Sequence, residues 1–254
     1  MITDSFDPNS QPLLNPESLY GKGTHLGDVV LAPFSFDALQ EALHRFPNKE
    51  VTRLASTNGP MPIYEIEVKG KRILLYMSPI GAASAATAMA EAAFRCLAKK
   101  FVFFGSCGVL RDDLCFGKVI VPSESYRDEG ISYHYAPPSD YIEISNAKKV
   151  KSFLEGKGIP SVQGRVWTCD AIYMETIEKA KKRREDGCIV VEMETAGLEA
   201  VARHYGIDAH FMLFGGDVLK EQSWDQNNFG SESEKQEQLS LLEIALDLAV
   251  ELAK

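Results

Sequence analysis

Three short turns carry the residues most suited to chemistry. SPIGAAS at 78–84, FFGSCG at 103–108 and FGGD at 214–217 each follow an apolar run and each contain glycine. A backbone that approaches a ligand closely needs residues without bulky side chains, and glycine also permits positive φ. The first turn, with Gly81, opens an alanine-rich helical pattern whose free N–H groups favour an anion or polar ligand. In the second, Ser106 and Cys107 stand at the strand end. The segment VVEMETAGLEAVAR at 190–203 brings two carboxylates, Glu192 and Glu194, to the end of an apolar strand. Burying either one unpaired costs several kcal/mol. Both could cap the following helix, where negative charge is favourable. Alternatively, one could accept hydrogen bonds from a diol such as a ribose, a contact that suits an acceptor-only group. Asp217, after Gly215 and Gly216, stands at a strand end, where it is either a turn residue or a catalytic acid.

The surrounding pattern shows what must position these groups. Short apolar runs (Asp28 to Ala32, Ile63 to Val68, Arg72 to Met77, Phe101 to Phe104, Val119 to Val121, Val162 to Trp167, Cys188 to Val191, His210 to Phe214) alternate with helical patterns. The helices are expected over Phe36 to Arg45, Ala82 to Lys99, Asn146 to Lys157, Ile177 to Glu185, Met193 to Tyr205 and Glu234 to Ala253. This alternation predicts a single α/β domain with a mixed, mainly parallel central sheet flanked by helices, with sites at strand ends. Residues 1–24, rich in Asn, Pro, Ser and Asp, read as an arm that lies on the surface or reaches a neighbour, ahead of a domain over 25–254. The run KAKKRRED at 179–186 reads as a solvated helix end.

Composition narrows the function classes. The chain has 254 residues, with Lys+Arg 27 against Asp+Glu 36 and a net charge of −9, which opposes general binding to nucleic acid or anionic membranes. Hydrophobic residues at 45% and charged residues at 25% are those of a folded globular protein. Five cysteines, Cys96, Cys107, Cys115, Cys169 and Cys188, form no CxxC pair and have no histidine at ligand spacing. They predict reduced thiols in cytoplasm rather than disulfides or a metal site. Neither a leader nor a membrane span is signalled, and no cofactor is expected.

Taken in order, GDVVLAP, SPIGAASAATAMAEAA, FFGSCGVL, YRDEGISYHY, WTCDAIY, VVEMETAGLEAVA and GGDV resemble the nucleoside phosphorylase superfamily. The likeness is to the branch of purine nucleoside phosphorylase, uridine phosphorylase and the methylthioadenosine/S-adenosylhomocysteine nucleosidases, and it runs from about Gly27 to Val218. It implies that fold, cleavage of the N-glycosidic bond of a nucleoside, and a homo-oligomer such as a dimer or hexamer. By motif position it implies that Glu194 binds the ribose hydroxyls and that Met193 packs on the sugar. It further implies that Ile172 and Tyr173 lie against the base, that Ser106, Cys107 and Gly81 surround the sugar and anion region, and that Asp217 protonates a purine ring nitrogen.

Departures from the family pattern point to the nucleophile. Where phosphorylases of this branch carry phosphate-binding arginines, the chain has Ala38, Phe103 and Asn58, and Phe34, Ser35 and Phe36 replace the anion-wrapping turn. Charge-assisted arginine contacts are the main way to hold a phosphate dianion. Asp37 falls at or next to the carboxylate that activates water in the nucleosidases of the family. The expectation is therefore hydrolysis of a purine nucleoside, with Asp37 as base and Asp217 as acid. The pattern's sugar-side Arg and its Ser before the acid are Leu213 and Gly216 here. Two alternatives stand: phosphorolysis, with phosphate held by Arg53, Arg111 or Arg127, and a non-catalytic nucleoside-binding protein.

Overall fold

A computed structural model describes residues 1–56, 59–227 and 229–253. In chain order the elements are α1 (Pro16–Tyr20), β1 (Val29–Pro33), α2 (Phe36–Arg45), β2 (Asn48–Leu54), β3 (Met61–Val68), β4 (Lys71–Leu75), α3 (Ala82–Cys96) and β5 (Lys100–Val109). There follow α4 (Asp112–Cys115), β6 (Val119–Asp128), α5 (Ser132–Tyr135), β7 (Tyr141–Glu143), α6 (Ala147–Gly156) and β8 (Ser161–Cys169). The chain ends with α7 (Ile177–Glu185), β9 (Cys188–Glu192), α8 (Thr195–Tyr205), β10 (Asp208–Leu219), β11 (Trp224–Asp225) and α9 (Glu232–Leu252).

All strands join one mixed sheet in the order β11-β10-β6-β8-β9-β5-β1-β4-β3-β2, with β7 beside β6. The sheet also closes on itself, because β10 pairs with β5 in parallel as well as with β6. The ring β5–β10–β6–β8–β9 that results has an apolar filling to which each strand contributes: Cys107 and Val109, Leu213, Ile120, Val166 and Val190. Outside the ring, the β1–β4 region packs its Val29–Ala32 and Ile73–Leu75 runs into the main core against α2, α3 and α9.

Local signals set the helix ends. Ser35 caps α2 by accepting the Ala38 N–H at 3.3 Å, and Thr176 and Ser231 do the same for α7 and α9. The α3 helix stops at Cys96, short of Lys99, because Leu97 takes the left-handed conformation (φ 52°) and releases the chain into β5. The α8 helix begins at Thr195, two residues later than its pattern implies, and β10 runs on to Leu219, so that Asp217 lies inside a strand. Three strands carry no apolar signature in the sequence: β2, an edge strand of mostly polar residues, and the short β7 and β11.

The charge run at 179–186 is solvated along Lys179, Lys181, Lys182 and Glu185, but two of its arginines turn inward. Arg183 is buried, with its guanidinium 3.5 Å from the Tyr126 ring centroid and an ion pair to Asp186 at 3.2 Å. Arg184 donates to the carbonyls of Leu110 and Leu219. Arg183 and Arg184 thus clamp α7 to the ring. In the arm, Tyr20 donates to Glu91 at 2.7 Å and accepts from the Ala55 N–H at 2.9 Å, fixing α1 to the domain. All five cysteines are free and buried, and no helix among the described residues is long and apolar enough to cross a membrane.

Candidate active site

A cleft of about 440 Å³ opens where the ends of β5, β9 and β10 meet the segment that follows β8. Ser106, Cys107 and Gly108 come from β5, and Glu192, Met193 and Glu194 from the β9–α8 junction. Asp217 and Leu219 are supplied by β10, while Ile172, Tyr173 and Glu175 come from the one-turn 3₁₀ helix after β8 and the residue that ends it. Close approach, not positive φ, explains the glycines that β5 and β10 bring to the cleft. A Cβ on Gly108 would stand 2.8 Å from Leu219 and 2.9 Å from Val191, and one on Gly215 only 2.5 Å from Val109.

The two glutamates divide their work. Glu192 is buried and accepts the N–H groups of Glu194 and Thr195 at 2.8 and 2.7 Å, so its carboxylate closes the first turn of α8. It also accepts the Thr168 hydroxyl. Burial nonetheless pushes its pKa up, against the pull of those three donors. Glu194 turns the other way. One of its oxygens accepts the Gly81 N–H at 2.7 Å across the junction of α3 and α8. Burial, and secondarily the charge of Glu192, raise the Glu194 pKa to about 8. Gly81 adopts φ 92°, so its N–H serves Glu194 rather than a free anion site, and the cleft wall is formed by its neighbour Ile80.

At the opposite wall, Asp217 lies beside a register shift in the β5–β10 pairing, across from Gly108. Burial raises its pKa, and the Trp224 indole N–H, 2.5 Å from Oδ2, opposes the rise. Glu175 faces Asp217 in the same cleft. Burial, then Asp217, then Asp128 raise its pKa to about 7, while Lys179 pulls it down. Sequence reasoning missed Glu175 as a site residue, since it sits in a turn without periodicity. Its only signal was a carboxylate just after WTCDAIY, the segment the resemblance sets against the base.

Ile172 and Tyr173 form an exposed lip, Tyr173 being 97% accessible, and Met193 is half-buried beside Glu194. Ser106 projects into the cleft. The Cys107 thiol donates to the Phe214 carbonyl at 3.2 Å, and burial pushes its pKa well up, so it is a neutral thiol and no nucleophile.

Asp37 is not brought to this group. It sits exposed in the first turn of α2, whose buried face is Ala38, Leu39 and Ala42, and it is absent from the cleft lining. The cap of that helix is Ser35 rather than Asp37. Phe103 is fully buried in an aromatic stack, 5.9 Å from Phe34, 6.0 Å from Phe101 and 5.7 Å from Phe211 between ring centroids. Phe34 lies against Gly105, where a Cβ would come within 3.0 Å of it. Asn58 lies outside the described residues. Arg53 pairs with Glu50, Arg111 pairs with Asp113 at 2.8 Å, and Arg127 is buried on Ser132 and the Pro137 carbonyl at 2.7 Å each. None of the three lines the cleft. Among the described residues the lining holds four carboxyl groups, Glu175, Glu192, Glu194 and Asp217, and neither Lys nor Arg.

Comparison with known proteins places these features in a family context. The model described as "Phosphorylase superfamily" matches residues 27–246. A DeoD-type purine nucleoside phosphorylase of Alkaliphilus metalliredigens (strain QYMF) is 29% identical over 194 residues, covering 71% of this chain and 77% of that protein. The DeoD-type purine nucleoside phosphorylase of Bacillus thuringiensis (strain Al Hakam) is 26% identical over 186 residues, covering 72% and 77%.

Proposed function

The chain belongs to the phosphorylase superfamily, and from that premise and the chemistry of its cleft we propose that it cleaves the N-glycosidic bond of a purine nucleoside with water as the nucleophile. The observation that carries the choice of water is the lining of four carboxyl groups without a cation among the described residues. A phosphate dianion entering such a cleft meets acidic groups and no guanidinium fork, whereas a water molecule and a developing sugar cation find oxygen acceptors there.

In this reaction the pair of the C1′–N bond leaves with the base, and the ring nitrogen takes a proton from Asp217. Burial supports that role by keeping the acid protonated further up the pH scale. Glu194 accepts the ribose diol and Met193 packs beside the sugar, while Ile172 and Tyr173 border the base. Ser106, with Cys107 behind it, lines the sugar side. Water bonds to C1′ and gives up a proton to a carboxylate within reach, as in inverting glycoside hydrolysis. The carboxylates available for this line the cleft, and the exposed position of Asp37 gives no support to its acting as that base. Exposed Ile80, Ile172, Tyr173 and Trp224 around the mouth form an apolar rim on which a homo-oligomer would assemble.

A second reading, phosphorolysis, is favoured by the relatives themselves, which are purine nucleoside phosphorylases. A nucleoside panel tests the substrate class: inosine, guanosine or adenosine should be cleaved and uridine spared. Preferential cleavage of uridine would remove Asp217 from its assigned part.

A further inference from the structure

Trp224 is one of two tryptophans in the chain, and it is the exposed one. A short hairpin returns it over the end of β10. Leu219 pairs with Trp224 and Val218 with Asp225, the Lys220 N–H donates to the Ser223 carbonyl at 2.9 Å, and the Lys220 ammonium meets Asp225 at 2.5 Å. The indole packs edge-on against Phe229, with 6.1 Å between ring centroids. This framework aims the indole N–H at Asp217 Oδ2, 2.5 Å away. The other oxygen, Oδ1, lies over Gly108 in the cleft wall, 3.6 Å from where a Cβ would stand.

From this geometry we infer that Trp224 is a positioning residue for Asp217: its indole N–H holds Oδ2 and presents Oδ1 to the leaving base. The inference rests on the assignment of Asp217 as the general acid. When the Oδ1 proton passes to the ring nitrogen, the carboxyl becomes a carboxylate, and the N–H bond to Oδ2 strengthens as that charge develops. An interaction stronger in the transition state than in the ground state raises kcat. An uncharged donor suits the task, because a cation at this distance would hold the acid ionised before substrate arrives.

The other groups facing Asp217 are Glu175 after the 3₁₀ turn and the Cys107 thiol on β5. Glu192 on β9 faces Cys107, and Glu234 of α9 stands behind Gly216. None of these is a cation, so the indole is the side-chain donor to Asp217, beside the residue's own backbone N–H. Lys220 is engaged with Asp225.

The test is Trp224→Phe, which removes the N–H and keeps an aromatic ring. The Asp217 carboxyl is followed by ¹³C NMR titration, assigned by its loss in Asp217→Asn. Its pKa should rise by about one unit in Trp224→Phe, as expected for a lost hydrogen bond to a charged group. Turnover of inosine should fall about tenfold in kcat with little change in KM. The alkaline limb of the pH profile should move upward with the acid, and a nitrophenyl riboside, which needs no proton, should be cleaved as by the unaltered protein. An unchanged carboxyl titration would overturn the inference. So would equal losses on inosine and the nitrophenyl riboside carried by KM, which would make the indole only a wall. Were the intact protein to leave every nucleoside uncleaved while the titration moved as stated, the contact would stand and the reaction assigned to the cleft would fall.

Discussion

Glu192 and Glu194 are two residues apart and both buried, yet they have different partners. The sequence leaves open which caps the helix and which faces a ligand, because the answer depends on the Gly81 N–H, 113 positions away in the chain from Glu194. Only the folded junction supplies it. Replacing Glu194 by Gln should therefore weaken turnover of a ribonucleoside by roughly 10- to 100-fold and affect the 2′-deoxy analogue much less, since the carboxyl group assigned to the 2′-hydroxyl is altered and only the ribonucleoside carries that hydroxyl. Parallel kinetics on the two substrates check this, and equal losses would remove the diol contact. Asp217→Asn should cost roughly 10²–10⁴-fold on an unactivated purine nucleoside and spare a nitrophenyl riboside, because only the former needs its leaving group protonated. Similar damage to both would show that Asp217 does something other than donate a proton. Asp217 was legible as a residue, through GGDV, but its setting inside a bulged strand beneath an indole was not. Nothing local in FGGDVLKEQSW announces the return of Trp224.

Helices α3 and α8 bring the cleft's ribose side together. Both are rich in small residues, and they cross closely where Gly197 of α8 lies against Ala82 of α3, while Ala196 and Ala200 pack with Ile142 on another face. A Cβ on Gly197 would lie 2.6 Å from the Ile131 side chain and 2.9 Å from the Ala82 Cβ. Gly197→Ala should thus destabilise the fold by about 1–2 kcal/mol, overpacking outweighing the gain in helix propensity. Urea unfolding would measure it, and a stabilised variant would contradict the close crossing. The same change should raise KM, because Glu194 and Gly81 sit at the N-termini that this crossing joins. The alanine-rich patterns made both helices visible in the sequence, but the exact ends were set by Leu97 turning left-handed and by the Glu192 carboxylate, which propensity alone does not foretell. Edge strand β2, with Lys49, Glu50 and Arg53 among its residues, was invisible because a strand of mostly polar, solvent-facing residues carries no apolar alternation.

The closed ring of β5, β10, β6, β8 and β9 gathers side chains from distant parts of the chain and buries carboxyl groups beside one another. Alternating strands and helices made the α/β class readable, while ring closure through the double pairing of β10 left no periodic trace. That architecture has a pH signature. Glu194, with an ordinary value of 4.5, is held at about 8 and Glu175 at about 7, both through burial first. Between about pH 4.5 and 8 the unfolded chain has released these protons and the folded protein retains them, so stability falls as pH rises through that window. Thermal unfolding from about pH 5 to 8 should show the decline, and Glu194→Gln should show a shallower one. Superimposable slopes would mean that Glu194 is ionised in the fold at neutral pH.

The absence of a cation among the described lining residues makes the choice between water and phosphate the central question. The most direct measurement incubates the protein with a purine nucleoside at increasing phosphate and resolves the sugar product. A cleft lined by four carboxyl groups predicts free ribose at a rate that phosphate leaves unchanged. Ribose 1-phosphate, formed at a rate that rises with phosphate, would contradict the account and put the chain's chemistry with that of its phosphorylase relatives.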